Sequence, residues 1–461
     1  GRSSSKKPRR FRFFRAGRKF LFACGRAGGD TPFEAMRIKS LHIENFRGLV
    51  DERVEFDASM TVLAGGNGGG KSSLLEAVSV MLSWLPAGIS GGSQRPLKIR
   101  TSDITRGRDF TRLSMVLGQR GSKDISLVLV KRARRTSGGG ESDMGEAEKY
   151  ASDMRVLLDS PDGAKVSIPL FVHYGTNRNA SGVCAPMPDG NTDRTSVYEK
   201  AFCAGVNFGK FSRWLCGALT ERQAQMEAAA KLPLRAANRR RDEINFRFGA
   251  VAAVRRALSD FDETFGAFSA RNGTLFFDKK NVPASALSDG EKTVVALIAD
   301  IALRMAVANP SLKDPLSTSA IILIDELDMH LHPDWQASIA ERLPRIFTDA
   351  QFVISSHSPS IMSLAKNLYR FRNDGESTRL ERIDSAFGRN PSDLLSSVLN
   401  ASRETETAAK IARLYSLIDE RKFSAAQKII DELNRQIPDD PEIVRAEYIV
   451  RALAPRPETK Q

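Results

Sequence analysis

The sequence predicts an α/β protein: a parallel-sheet core with an antiparallel β subdomain and a helical insertion, plus a small C-terminal α-helical segment. Three stretches predict it. Met60–Leu63 is an apolar run that leads into Ala-Gly-Gly-Asn-Gly-Gly-Gly-Lys-Ser-Ser (Ala64–Ser73) and then into a helical pattern. Ala320–Ile324 is wholly apolar and ends in Asp325-Glu326, and Gln351–Ile354 ends in Ser355-Ser-His357. Short apolar runs that stop abruptly at polar residues read as strands buried on both faces of a parallel sheet.

With 461 residues, 41% of them hydrophobic and 27% charged, the chain has room for two or three domains and a large core. No apolar stretch approaches the roughly 18 residues that span a bilayer, so no membrane partner is expected. The four cysteines (Cys24, Cys184, Cys203, Cys216) form no CxxC pair. Neither a zinc site nor a disulfide framework is indicated, and a reducing cytoplasm is the simplest compartment. Residues 1–35 hold ten Lys or Arg against only Asp30 and Glu34, more than half of the net charge of +14. Three readings of this basic extension stay open: translation from a misplaced upstream start codon, a disordered arm touching nucleic acid, or an organelle targeting peptide.

From Met36 the pattern becomes regular. Ile38, Leu41, Ile43 and Phe46 read as the inward positions of a first strand, and Val54 and Phe56 of a second after the turn at Arg47-Gly48. In the glycine loop, Gly65 and Gly70 take the two fixed glycine positions of the phosphate-cradling pattern, followed by Lys71 and Ser72. Glycines let backbone N–H groups approach phosphate closely, and the following helix N-terminus favours an anion. Lys71 would reach the β- and γ-phosphates of a nucleotide, and the Ser72 hydroxyl would join the shell of Mg²⁺. A glycine-rich hairpin turn is the plainer alternative, but Leu74, Leu75, Val78, Met81, Leu82 and Leu85 continue as a helix with one apolar face. Leu85-Pro86 is expected to end that helix, with a Gly/Ser loop over Ala87–Ser93.

Residues 95–112 are basic around Asp103 and Asp109; Leu113–Leu117 and Ile125–Val130 read as strands, and Thr136–Glu148 as a flexible loop tip. Val166–His173 is strand-like and leads into Tyr174-Gly-Thr-Asn-Arg178. From Ser196 to Thr264 the pattern is helical, anchored by Phe208, Phe211 and Trp214, and residues 274–287 return to strand and turn. Lys131–Arg135 and Arg235–Arg247 are basic clusters, read either as solvated faces or as polyanion contacts. No heptads are sustained, which excludes long coiled-coil arms.

Ser288-Asp-Gly-Glu-Lys292 opens a helix with Val294, Val295, Leu297, Ile298, Ile301 and Met305 on its apolar side. Ser288 and Glu291 have the spacing of a capping box. Asp325 and Glu326 stand at the C-terminal end of a central strand, where open α/β sheets bind ligands. There Asp325 can hold Mg²⁺, and Glu326 can orient the water that attacks a γ-phosphate. His357, at the end of the next strand, is a candidate contact to the same phosphate.

In this order the residues carry a resemblance. Gly65–Ser72 resembles a Walker A motif, Leu287-Ser-Asp-Gly-Glu291 an ABC signature, and Ile321–Glu326 a Walker B motif with its catalytic glutamate. Leu327-Asp328 resembles the D-loop and His357 the switch histidine. The set is that of ABC-type P-loop NTPase heads. Ile43-Glu-Asn-Phe-Arg-Gly48 and Asp325-Glu-Leu-Asp-Met-His-Leu-His-Pro-Asp-Trp335 are similar to RecF-like and OLD-like ATPases. From Met36 to about Leu453 the chain resembles most the ATPase subunit of Septu-type and retron-associated anti-phage systems.

The resemblance implies a head over residues 36–388, with an insertion at about 90–285. It implies a homodimer, or a higher even oligomer, with ATP and Mg²⁺ sandwiched between copies. Gly65, Asn67, Gly68, Gly70, Lys71, Ser72, Ser73 and Arg47 would hold ATP on one chain. Ser72 and Asp325 would hold Mg²⁺, and Glu326 and His357 would act in catalysis. Ser288 and Gly290 of the other chain would close the site. The Q-loop residue stays open among Gln94, Gln119 and Asp103. Residues 389–455, opened by Asn390-Pro391, carry the apolar faces of one TPR-like hairpin and a third helix, expected to lean on the head or a partner. They hold no acidic cluster at a strand end, and the five histidines form no HNH pattern. Any nuclease is therefore a separate chain, an HNH protein by the Septu resemblance. The alternative is a RecF-like DNA-binding ATPase of repair.

Overall fold

The computed structural model describes residues 36–453 except 120, 134–137, 177–192, 374, 376, 384–385, 390–393, 395–404 and 437–439. The basic extension 1–35, Asn177-Arg178 and the Asn390-Pro391 helix start lie outside the described residues, as does part of the 131–135 cluster.

Thirteen described strands build two sheets. The larger has ten, in the order β5 (Ile125–Arg132), β4 (Phe110–Gln119), β1 (Met36–Phe46), β2 (Leu49–Glu55), β13 (Thr378–Ile383), β12 (Asn367–Asn373), β3 (Met60–Gly65), β11 (Ala350–Ser355), β10 (Ala320–Ile324) and β6 (Leu170–Tyr174). From β12 through β3, β11 and β10 to β6 every neighbour is parallel, whereas β5, β4, β1 and β2 are antiparallel. The two halves join through the single parallel pair Thr378↔Leu49. The three apolar runs are β3, β10 and β11, and every residue of each is buried. In β1 a bulge between Ile38 and Ser40 explains why the buried positions step from Ile38 to Leu41 before alternation resumes.

Helices cover both faces. On one lies α1 (Lys71–Leu82), whose Leu74, Leu75, Val78, Met81 and Leu82 are fully buried. It stops at Leu82, and Pro86 sits in the first turn of the next helix, α2 (Trp84–Ile89), rather than ending one. Proline has no N–H to donate there, so the first turn tolerates it. The continuous stretch Lys71–Ile89 is long and apolar enough to cross a membrane by composition, contrary to the sequence expectation, but most of it is buried in the core. The expected loop tip before Glu148 overlaps α3 (Gly145–Leu158), which buries Ala147, Tyr150, Ala151 and Met154.

Between β6 and β10 lies the helical lobe: α4 (Phe208–Ala230), α5 (Leu234–Arg247), α6 (Gly249–Phe261) and α7 (Glu263–Gly266), with a three-stranded sheet of β7 (Phe268–Arg271), β8 (Thr274–Phe277) and β9 (Val282–Pro283). Strands β4, β5 and β6, inside the 90–285 stretch, belong to the large sheet, so the helical part begins near residue 208. Next comes α8 (Asp289–Ala308), buried from Thr293 to its end, on the face opposite α1, since the adjacent β6 residues His173 and Tyr174 bond to α1 and α8 respectively. Trp335 of α9 (Pro333–Ile346) stacks near Phe261 at 5.5 Å and Phe265 at 5.6 Å, fastening that helix to the lobe. After the short α10 (Pro359–Met362), helices α11 (Thr405–Asp419), α12 (Phe423–Gln436) and α13 (Pro441–Leu453) share a core of their own. Ile443, Ala446 and Val450 of α13 cover the hairpin's apolar residues Leu414, Ile430 and Leu433. The third helix thus buries the face that a lone hairpin would leave open.

Candidate nucleotide site at the strand ends

The parallel order brings the ends of β3, β10, β11 and β6 side by side, and the glycine loop, Asp325, Glu326 and His357 follow those ends. Gly65 ends β3 with φ 148°, and a Cβ at that position would stand 2.8 Å from the Phe371 carbonyl oxygen of β12. Gly70, with φ 96°, caps α1 in a left-handed conformation that favours glycine. Between them Gly66, Asn67 and Gly68 are exposed, and Ser72 is exposed on the first turn of α1, while Ser73 is half-buried. The loop presents backbone and hydroxyl to solvent where a phosphate can enter.

Lys71 points back into this loop. Its Nζ donates to Gly65 O at 2.8 Å and Gly66 O at 3.0 Å, and lies 3.0 Å from His357 Nε2. Burial lowers the Lys71 pKa, opposed by the charges of Asp325, Glu326 and Asp328. Burial, then the Lys71 ammonium, lowers that of His357. An ammonium can only donate, so His357 Nε2 accepts and the ring is neutral with its proton on Nδ1. The His357 backbone N–H donates to the Asp328 carboxylate at 3.2 Å, tying the switch-like histidine to the D-loop-like segment.

Asp325 and Glu326 are set by β11. Ser355 Oγ donates to Asp325 Oδ1 and accepts from the Glu326 N–H at 2.8 Å. The Asp325 N–H donates to Tyr174 O of β6 at 2.8 Å. Glu326 has φ 49°, a left-handed conformation unusual for a residue with a side chain, so the chain turns sharply just past the strand.

No group of three or more His, Cys, Asp or Glu suited to a metal occurs among the described residues. The Ser72 hydroxyl and the Asp325 carboxylate are both hard oxygen donors. That fits Mg²⁺, which keeps several waters and takes phosphate oxygens rather than a full protein cage.

Arg47, also left-handed at φ 54°, is held by Asp103 (Nε–Oδ1 3.0 Å) and by Glu76 of α1 at 2.5 Å. Burial would lower its pKa, but these two carboxylates outweigh that and raise it. Asp103 is therefore the partner of Arg47. Gln119 pairs with Met36 at the start of β1, the far end of an 11-residue strand from Phe46 and Arg47, so it cannot serve this site.

Ser288 is the exposed N-cap of α8. Its Oγ accepts from Glu291 N at 3.3 Å and its N–H donates to Glu291 Oε2 at 2.9 Å, the capping box expected from the sequence. Lys280 secures Glu291 at 2.6 Å and, with Ser288, lowers its pKa against the opposing effect of burial. Gly290 is close-packed: a Cβ there would stand 3.0 Å from His330 O. Ser288 and Asp289 are exposed at the N-terminus of a 20-residue helix.

Sequence reasoning missed two residues at the end of β6. His173 Nδ1 lies 2.9 Å from Ser79 Oγ of α1, and Tyr174 OH donates to Asp300 Oδ2 of α8 at 2.7 Å. Arg304, fully buried, donates to the same Asp300 oxygen at 2.8 Å and to Val197 O at 2.6 Å. Their partners lie about a hundred residues away in sequence; the only local signal was a histidine and a tyrosine at the end of an apolar strand.

The chain is similar to several known proteins. The chain is 24% identical over 473 aligned positions to the retron Ec83 probable ATPase of Escherichia coli, covering 89% of this chain and 85% of that one. It is 25% identical over 416 positions to the retron Vc95 probable ATPase of Vibrio cholerae, covering 78% of each. A shorter stretch of 73 residues, 16% of this chain and 10% of the relative, is 41% identical to the Septu protein PtuA of Bacillus mycoides. Residues 37–379 match the RecF/RecN/SMC N terminal domain, a span that takes in the glycine loop, both acidic residues and His357, and the chain belongs to that family of ATPase heads.

Proposed function

We propose that this chain hydrolyses ATP with Mg²⁺ in a head-to-head dimer and thereby controls a separate nuclease in anti-phage defence. The observation that carries the proposal is the Lys71–His357 contact of 3.0 Å, which joins the glycine loop to the end of β11 beside Asp325 and Glu326. Ser72 and Asp325 would hold Mg²⁺, whose charge would help neutralise the phosphates. Lys71 would exchange the Gly65 and Gly66 carbonyls and the imidazole for β- and γ-phosphate oxygens. Released from Lys71, His357 is free to take the tautomer that donates from Nε2 to the γ-phosphate. Glu326 would orient and polarise the attacking water, with Asn67 on the exposed rim of the loop helping to place it. Arg47 would contribute its remaining donors, and Gly68, Gly70 and Ser73 the backbone cradle. Ser288 and Gly290 of a second copy would complete the site, which is why the exposure of the α8 N-terminus matters.

Glu326→Gln tests the assignment. Phosphate release should fall about 10²-fold or more, while light scattering should show an ATP-dependent dimer that persists. Unchanged turnover would sink the role of Glu326. The defence reading rests on similarity to the retron ATPases and PtuA. It is tested by adding a co-encoded HNH chain and asking whether ATP changes its cleavage of DNA. The rival, a RecF-like DNA-binding role, predicts ATP-dependent duplex binding that weakens steeply with salt and is lost on charge reversal at Arg239–Arg241. In the structure Arg239 and Arg240 already pair with Glu243, which does not favour it.

A further inference from the structure

His173 is a buried titratable side chain beside the proposed site that the mechanism above does not use. It stands on β6, one residue before Tyr174, in register with Leu323 of the neighbouring β10. Its ring faces α1, where Ser79 Oγ donates to Leu75 O at 2.8 Å and lies 2.9 Å from His173 Nδ1. A hydroxyl has one proton, and here the Leu75 carbonyl takes it. With the Ser79 proton on the Leu75 carbonyl, His173 Nδ1 donates to Ser79 and Nε2 is the acceptor of a neutral imidazole. Nε2 is buried, and no hydrogen-bond partner meets it. The charges that act on this ring are those of Asp325 and Glu76. Ionised carboxylates only accept, so neither can satisfy a lone pair. A buried acceptor left unmet costs about 1–3 kcal/mol.

Burial holds the imidazole below its ordinary pKa against the pull of those two carboxylates, so protonation does not supply the missing donor. Within α1, Ser72, Glu76 and Ser79 are spaced four and three residues apart and so share one helix face. That face carries the proposed metal hydroxyl at one end and the histidine anchor at the other. The donor that suits Nε2 is a water.

We propose that His173 is a positioning residue: its Nε2 accepts a hydrogen bond from a water in the outer shell of the metal bound by Ser72 and Asp325. This acceptance belongs to the tautomer in which Nδ1 donates to Ser79. The inference rests on the Mg²⁺–nucleotide reading of the site and adds to it a wall of the metal's water shell that comes from β6. Groups of this kind, which orient what the metal carries, commonly govern metal affinity by about 10–100-fold.

The test uses the full chain in a Glu326→Gln background, loaded with ATP, with Mn²⁺ as the probe followed by electron paramagnetic resonance. His173→Leu should weaken Mn²⁺ binding about ten-fold, while ATP affinity in EDTA stays unchanged. His173→Gln, whose amide oxygen reaches the Nε2 position, should recover most of the loss. Wild-type Mn²⁺ affinity in His173→Leu, with affinity lost in Asp325→Asn, would overturn the inference and leave the site intact. Equal losses in the Leu and Gln variants would mark a packing defect and overturn it too. If Asp325→Asn also binds Mn²⁺ normally, the nucleotide-site reading itself fails.

Discussion

Lys71 and His357, 286 positions apart, meet at 3.0 Å. The ammonium is satisfied by two loop carbonyls and the imidazole, so Lys71 ties the glycine loop to the end of β11. This arrangement requires a neutral His357. Its pKa is depressed, chiefly by burial and then by Lys71, so the folded state binds fewer protons than the unfolded state just below about pH 6.5. Stability from this source is full above the unfolded pKa and is lost as pH falls through the window below it. Thermal melts of the nucleotide-free protein at pH 7.5 and 5.5 should show a drop on acidification that His357→Gln reduces. His173 acts with the same sign, so part of the slope should remain.

The glycines of the loop are not equivalent. Gly65→Ala would set a Cβ 2.8 Å from the Phe371 carbonyl at a backbone angle of 148°, and the obstacle is strand backbone that cannot swing aside. Nothing stands within 4 Å of a Cβ at Gly66. Gly65→Ala should therefore lower the melting temperature by several degrees, about 1–3 kcal/mol of strain, and weaken ATP binding. Gly66→Ala should leave the melting temperature close to wild type. Equal melting temperatures in a differential scan of the two variants would contradict the crowding at Phe371.

The Tyr174–Asp300–Arg304 group is a buried charge network between the end of β6 and the helix that begins at Ser288. Arg304 is 0% exposed and Asp300 5%. Removing one partner strands the other charge, so Arg304→Ala should cost about 3–5 kcal/mol. Replacing the pair with Asp300→Leu and Arg304→Met together should cost far less, because both desolvation penalties vanish with the charges. Urea denaturation of the two variants decides it, and a double variant as unstable as the single one would deny the network its electrostatic origin.

Much of this was legible in the sequence where one stretch of chain carries its own signal. The runs at Met60–Leu63, Ala320–Ile324 and Gln351–Ile354 name their strands because burial on both faces leaves no polar positions. The Ser288–Glu291 cap is local and was read correctly. Features made by contacts distant in sequence were not legible. The anchoring of His173 by Ser79 spans 94 residues and that of Tyr174 by Asp300 spans 126. The pairing of Asp103 with Arg47 spans 56 residues and was not legible either. Helix α3 was masked by the Gly/Ser-rich run before it and by a mostly charged exposed face around Ala147, Tyr150, Ala151 and Met154. Pro86 misled because proline is tolerated at a helix start as readily as it ends one.

The strongest test of a shared site needs two broken chains. Ser288 is exposed, and among the described residues its side chain bonds only Glu291, so Ser288→Arg should cost no more than the helix cap, about 1 kcal/mol, and leave ATP binding by the same chain nearly unchanged. Its bulk and charge would stop the second copy from closing, and phosphate release should fall to background. Lys71→Ala should also be inactive, through loss of the buried ammonium that holds the loop. When the two variants are mixed, one of the two sites in a mixed dimer has an intact Lys71 from one chain and an intact Ser288 from the other. Mixing should therefore restore phosphate release, up to about a quarter of the wild-type level if chains exchange freely and each site works alone. That fraction follows because half the dimers are mixed and each has one working site, as for any symmetric interface that uses its residues twice. A mixture as inactive as either parent would mean that sites do not work singly or that Ser288 and Lys71 do not share one. The melting temperature and ATP affinity of Ser288→Arg separate these outcomes from simple misfolding.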